Sequence, residues 1–284
     1  MFGIDSTYSP YRGTTTRDPI DAISQIFFES TSMVVKPVVP LIQKVEILTR
    51  SFRTQVGSLG QIITQIKRPS RMTVDKIAQF SVSSLHECMG KRGQMNHEIK
   101  PIDSDMKVCG TSITVDCPVA DNLTLHKAIE VAAEGDVLVV DAKGNKEAGG
   151  MWGEIMTIAA QTKGIRGIVI DGAVRDVRAL LDLRFPTFAS AISPGGTIKK
   201  TLGSINTPIV CGGVAVHPGD VVVGDADGVV VVPMNLSENL ITKAEQRENA
   251  ETEIKKRLRM GETTMKIYGF DQLLAGENVG QRRS

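Results

Sequence analysis

The chain is poor in cysteine and histidine, and the few it has are spaced wrongly for a structural metal site. Cys88, Cys109, Cys117 and Cys211 include no C-x-x-C pair, and His86, His97, His126 and His217 show neither H-x-x-x-H nor H-E-x-x-H spacing. A disulfide framework and a histidine zinc site are therefore not expected, and the scattered thiols read as buried, idle groups in a reducing compartment. Long apolar runs are missing too: no stretch approaches the roughly 20 residues that span a bilayer. The N-terminus lacks the basic-then-apolar layout of a secretory signal, so the expected compartment is the cytoplasm. Charge of one sign is also absent, since 33 Lys and Arg against 32 Asp and Glu leave a net charge of +1. That balance gives no general footprint for nucleic acid or an acidic membrane, and neither is expected as a partner.

What remains is an ordinary globular composition, 41% hydrophobic and 23% charged over 284 residues. It allows one substantial domain with an appendage, or two small domains. Residues 1–71 differ in character from the rest. They open on Ser6-Thr7-Tyr8-Ser9-Pro10 and Thr14-Thr15-Thr16 and close on the breaker Lys67-Arg68-Pro69-Ser70-Arg71. Between these, Leu41 to Leu48 fits a short amphipathic helix that Pro37 and Pro40 confine to the residues after them. This segment reads as an appendage that packs on the core or mediates assembly, or as a leader with no catalytic part.

From Met72 to the end the pattern is that of one domain. A helix is expected over 73–90, with Thr73 as N-cap and Gly90 as its stop. Val108 to Val115 reads as a strand, Leu123 to Ala133 as a helix, and Asp136 to Asp141 as a strand buried on both faces. Gly153 to Thr162 is an expected helix, Gly167 to Ile170 a strand, and Val177 to Leu183 a helix, so the alternation predicts an α/β domain with parallel connections. Farther on the pattern is richer in β structure. Pro208–Cys211 and Val214–Val216 are short strands, and Val221 to Pro233 is a hairpin with Asp-Gly at its turn. Ser237 to about Met260 is a charged helix that Gly261 ends.

Chemistry concentrates at Gly172-Ala173-Val174-Arg175-Asp176, which closes the apolar run Gly167-Ile168-Val169-Ile170-Asp171. Arg175 keeps its proton at physiological pH, and its planar fork matches a carboxylate through two parallel hydrogen bonds. Asp176 is a hard oxygen ligand suited to Mg²⁺ or Mn²⁺. In an extended or turning backbone the two side chains diverge, so they need not neutralise each other. Upstream, Gly149-Gly150-Met151-Trp152-Gly153-Glu154 lets the backbone come close to a ligand and opens a helix whose free N–H groups receive anions. Taken alone, an Arg-Asp pair also fits a solvated turn, the glycine segment an ordinary loop, and Trp152 either the pocket wall or the core.

Several motifs in order resemble one family. They are Gly135-Asp136-Val137-Leu138-Val139-Val140-Asp141, Trp152-Gly153-Glu154, Gly172-Ala173-Val174-Arg175-Asp176, Phe185-Pro186-Thr187-Phe188-Ala189, Cys211-Gly212-Gly213-Val214 and Pro218-Gly219-Asp220 with Asp225-Ala226-Asp227-Gly228-Val229. Over about 72–262 the chain is similar to the 4-hydroxy-4-methyl-2-oxoglutarate aldolases and the RraA-type regulators of ribonuclease activity. The resemblance implies an α/β, RraA-like swivelling β/β/α domain, assembled as homotrimers or hexamers with sites between subunits. It implies a divalent metal held largely by Asp176, with Arg175 and the backbone of Gly153, Glu154, Ile155 and Met156 binding the pyruvyl part of a small 2-oxo acid. Glu154 fills the family's acidic position ahead of the arginine. Glu251, with Glu248 close behind, matches a glutamate that a neighbouring subunit's C-terminal helix contributes to position water. The implied activity is aldol cleavage or oxaloacetate decarboxylation to pyruvate; the alternative is a non-catalytic regulator that binds a nuclease. Two departures stand out: Ala179 occupies a place where many relatives are acidic, and Arg178 adds a positive charge expected beside the site.

Overall fold

The computed structural model of the chain describes residues 60–276, so the helix expected at Leu41–Leu48 lies outside the described residues. An eight-stranded sheet organises the fold. Four strands run parallel at its centre: β2 (Val108–Asp116), β3 (Asp136–Asn145), β4 (Gly167–Val174) and β5 (Thr187–Ile192). Antiparallel strands flank them. β1 (Lys100–Pro101) pairs with β5, β9 (Val221–Asp225) with β2, β10 (Gly228–Val232) with β9, and β6 (Ser204–Ile205) pairs beside β9 on β2. The sheet curls until its edges nearly meet, where the Lys100 ammonium donates to the Asp227 carbonyl and Met95 N–H to the Val229 carbonyl.

The curl explains why Val137–Val140 of β3 is apolar at every step. Val137 and Val139 face an inner core with Val169, Phe188, Val222 and Val229, which a small hairpin of β7 (Ile209–Cys211) and β8 (Val214–Val216) plugs from one side. Leu138 and Val140 face the other way and pack under α3 (Leu123–Val131) and α4 (Glu154–Thr162) with Ile168, Ile170 and Leu180, the last from α5 (Val177–Asp182). Two-residue periodicity with both faces covered leaves no polar side, as expected of parallel strands. The expected α/β alternation is the architecture observed.

Some local readings need correction. The helix expected over 73–90 is two helices, α1 (Arg71–Ile77) and α2 (Val82–Cys88). The break is at Ser81, whose hydroxyl accepts from Ser84 N–H and starts a new helix; Ser70, not Thr73, caps the first. A side-chain oxygen that satisfies an orphan donor outweighs continued apolar spacing here. The last hairpin turns at Ala226-Asp227, with Gly228 at φ 133° opening β10 opposite Asp225. Strands β1 and β6, two residues each, carry no periodicity to read. Residues 60–71 of the expected appendage run against the sheet. Ile63 N–H donates to Ile205, Asn206 to the Ile63 carbonyl, and Arg68 grips Asp136 through two hydrogen bonds of 2.9 and 2.8 Å.

A long charged helix, α6 (Ser237–Arg259), covers α1 and α2 through Leu240 and Ala244, and α7 (Thr264–Tyr268) and α8 (Phe270–Gly276) follow it. Cys109, Cys117 and Cys211 are buried and unbridged, and burial pushes the thiols of Cys109 and Cys117 up to about 12. Such thiols are poor nucleophiles. No described helix is long and apolar enough to cross a membrane.

Candidate active site

Backbone pairing brings the two motifs together. Met151 N–H donates to the Ala173 carbonyl and Arg175 N–H to Trp152, at 2.8 Å each, so the glycine-rich segment is stitched along the end of β4. On its other side Gly150 N–H donates to Gly195, and Ser193 N–H to Val174. Trp152 is fully buried; its indole N–H donates to Thr157 at 2.7 Å and its ring stacks on Phe185. The tryptophan is core, and it anchors the first turn of α4 rather than facing a ligand.

Gly153 is the N-cap of α4 and has no side chain to satisfy the helix start. The Glu154 N–H donates to Asp176 Oδ2 at 3.2 Å, while Thr157 N–H begins the helical ladder on Gly153. Among the described residues the N–H groups of Ile155 and Met156 have no protein acceptor, so they are available to an anion. A methyl on Gly153 would stand 2.4 Å from Asp176 Oδ2 and 3.2 Å from Arg175 Nε. Glycine is required by that close approach, not by its φ of −158°.

Asp176 turns the backbone at the end of β4, but not so that the two side chains diverge. It adopts a left-handed conformation, φ 57° and ψ 35°, which Asp tolerates better than most residues. The turn swings its carboxylate back, and Oδ2 lies 3.5 Å from Arg175 Nε. The two side chains meet instead of diverging. Both remain substantially open, at 44% and 41% exposure, so solvent screens the pair and the guanidinium fork keeps donors to offer. Arg178, expected beside the site, turns along α5 to Asp182 at 3.2 Å.

Arg175 and Asp176 line a cavity of about 190 Å³ with Gly150, Gly153, Ile155 and Met156. Drug-sized ligands occupy roughly 300–1,000 Å³, so this cavity suits a small metabolite. Three side chains from elsewhere complete it: Asn122, His126 and Lys199. A buried clamp holds them. Asp121 accepts Leu123 N–H at 3.0 Å and the Lys200 and Thr201 N–H groups at 2.9 and 2.6 Å, fixing the start of α3 to the loop that carries Lys199. Burial opposes ionisation of Asp121, but the N–H donors of Leu123, Thr201 and Lys200 outweigh it and hold the carboxyl below the usual range. Partial desolvation, reinforced by the Lys199 charge, holds the His126 imidazole below the usual histidine range. The cavity thus collects Arg175, Lys199 and a mainly neutral histidine around one carboxylate, a field that favours a small anion.

Glu154 heads α4 exposed at the cavity's edge, its backbone on Asp176. Glu251 and Glu248 lie apart, in a larger cavity of about 660 Å³ between α2, β9 and α6; it shares no lining residue with the first. Part of its charge is paired: Glu251 with Arg247 and Lys255, and Arg166 with Asp75. Size alone does not mark the reactive site. Within the described residues no group of three or more His, Cys, Asp or Glu is placed to hold a metal ion. A magnesium ion does not require one, since it commonly takes one or two carboxylates and keeps several waters. Asp176, open and next to a glycine cradle, fits that requirement.

Residues 74–231 match the family model described as RraA-like: Aldolase/RraA, more than half of the chain. The chain belongs to the RraA-like aldolase family. It is 38% identical over 182 residues to a Halalkalibacterium halodurans protein named "Putative 4-hydroxy-4-methyl-2-oxoglutarate aldolase", covering 63% of this chain and 86% of that one. It is also 38% identical to an uncharacterized protein of Methanocaldococcus jannaschii, over 69% of this chain and 93% of the other. Among solved structures it is similar to Streptomyces coelicolor RraAS2, titled an unusual member of the RNase ES inhibitor RraA protein family. That match has 30% identity and a TM-score of 0.61, and covers 67% of this chain and all of the other. In the family's terms, the structure gathers Gly153, Ile155, Met156, Arg175 and Asp176 around one cavity, with Glu154 at its edge and Glu251 outside it.

Sequence reasoning missed Asn122, His126 and Lys199. A signal existed for two of them: Asn122 and His126 are one turn apart on one helix, so they share a face. Nothing local in the glycine-rich stretch around Lys199 pointed to the cavity.

Proposed function

We propose that this chain is a divalent-metal-dependent lyase that cleaves a carbon–carbon bond of a small 2-oxo acid to give pyruvate. The type is that of a 4-hydroxy-4-methyl-2-oxoglutarate aldolase or an oxaloacetate decarboxylase. The observation that carries the reading is the shared cavity of Arg175, Asp176 and the open start of α4. Arg175 grips the substrate carboxylate, helped by the N–H groups of Ile155 and Met156. As the bond breaks, its electron pair moves toward the 2-oxo carbon and negative charge grows on the 2-oxo oxygen. Arg175 faces that charge in a site already organised for it, an effect worth roughly 3–4 kcal/mol per donor in comparable sites. Asp176 holds the metal, Mg²⁺ or Mn²⁺, which when bound supplies Lewis acidity to the 2-oxo group. Glu154 tunes proton movement at the edge of the cavity. In this reading Glu251, which lines another cavity of its own chain, serves the site of a second copy in a homotrimer or hexamer.

The test is a panel of 2-oxo acids with pyruvate detection, with and without EDTA. Turnover with Mg²⁺ or Mn²⁺ that EDTA abolishes supports the reading. A chain that turns over no 2-oxo acid yet recovers a nuclease in a pull-down is instead the ribonuclease regulator. Gly153→Ala gives an independent check. Its methyl displaces Asp176 Oδ2 and Arg175 Nε, and a shift near 1 Å costs about 100-fold in kcat/KM. The backbone at Gly153 suits alanine, so the melting temperature stays nearly unchanged. Steady-state kinetics and thermal melting together check both halves.

A further inference from the structure

The side-chain oxygen of Asn122 is unused among the described residues. Asn122 is 6% exposed, and its Oδ1 is buried with no hydrogen-bond partner among the described residues. Its amide orientation is fixed by chemistry: Nδ2 donates to the Met151 carbonyl at 3.0 Å and lies 3.5 Å from the Met156 sulfur, and only a donor can face that carbonyl. Asn122 is also the N-cap of α3, where an asparagine oxygen ordinarily accepts from the first turn, yet it makes no capping bond. Asp121 serves Leu123 N–H instead. This freed acceptor belongs to a residue that lines the cavity holding Arg175 and Asp176, and a donor from the ligand would satisfy it.

We infer that Asn122 is a specificity-determining residue that reads a hydroxyl on the fourth carbon of the substrate. The inference rests on the lyase reading above. Met151 and Met156 flank the helix start offered to the substrate carboxylate, so Asn122 is tied to the element that binds the other end of the same molecule. A 4-hydroxy-2-oxo acid brings an O–H donor to this oxygen. Oxaloacetate brings only acceptors there at neutral pH, so the same residue discriminates between the two reactions the cavity otherwise supports. Sites built to bond a substrate hydroxyl discriminate strongly because a buried group is otherwise left unpaired.

The test measures kcat/KM of the full chain with Mg²⁺ on 4-hydroxy-4-methyl-2-oxoglutarate and on oxaloacetate, for the native protein and Asn122→Ala. The expected result is a loss of about 30-fold on the hydroxy acid and less than about 3-fold on oxaloacetate. Equal losses on both substrates overturn the inference and leave the lyase reading intact, since a merely structural asparagine affects both alike. A native protein inactive on both overturns the lyase reading, and this inference with it. If Asn122→Ala fails to fold, the native protein still decides. 4-Hydroxy-2-oxoglutarate should inhibit oxaloacetate turnover at least about 10-fold more tightly than 2-oxoglutarate, which lacks only the hydroxyl, and equal inhibition constants overturn the proposal.

Discussion

Asp176→Asn is expected to lower metal-dependent pyruvate release about 1,000-fold while leaving the fold intact. The substitution removes the charge of the one acidic side chain that lines the cavity among the described residues, but keeps a residue type that accepts φ 57°. Asp176→Ala abolishes activity as well, but it places a less tolerant residue in the left-handed region, at roughly 1–2 kcal/mol of backbone strain. The asparagine variant therefore separates loss of the carboxylate from loss of the turn. Arg175→Ala cripples turnover in parallel. Assays with oxaloacetate and Mg²⁺, beside melting curves, check all three, and near-native rates in any of them would defeat the assigned site.

The largest expected effect on stability comes from Arg68→Ala. Asp136 is only 1% exposed, and both its oxygens accept from Arg68, with Ala133 N–H as a further donor. The Asp136 carboxylate holds the Arg68 guanidinium above its usual range, chiefly through the hydrogen bond and against partial burial. Removing the arginine leaves a buried charge half-served, which costs about 3 kcal/mol. For a domain of this size that lowers the melting temperature by about 6–12 °C. Arg68→Ala with Asp136→Asn should recover more than half of the loss, because the unpaired charge goes with it. Calorimetry on the single and double variants gives the comparison.

How legible the fold was depended on how local the cause was. Val137 to Val140 announced a strand buried on both faces, and Gly167 to Ile170 another, because every residue had to be apolar. Ser237 to Met260 announced its helix by charge and by Gly261. Ser81 did not announce a break, because a capping hydroxyl inside an apolar-spaced run looks like any exposed serine. At the site, Arg175, Asp176 and Gly153 stood out through residue type and the order of motifs. Their contact did not, because it depends on the left-handed backbone at Asp176, one of several allowed choices for that residue. Asn122, His126 and Lys199 reach the cavity through Asp121's bonds to a segment far along the chain, and no short-range pattern encodes such a clamp.

The contact between Arg175 and Asp176 has a thermodynamic corollary. A cation drawn to the carboxylate and an anion drawn to the guanidinium each loosen the same ion pair. Whichever arrives first spares the second part of that work, so the two assist one another by equal factors in either order. Affinity for the organic ligand should therefore rise with metal concentration, and the reciprocal rise should match it.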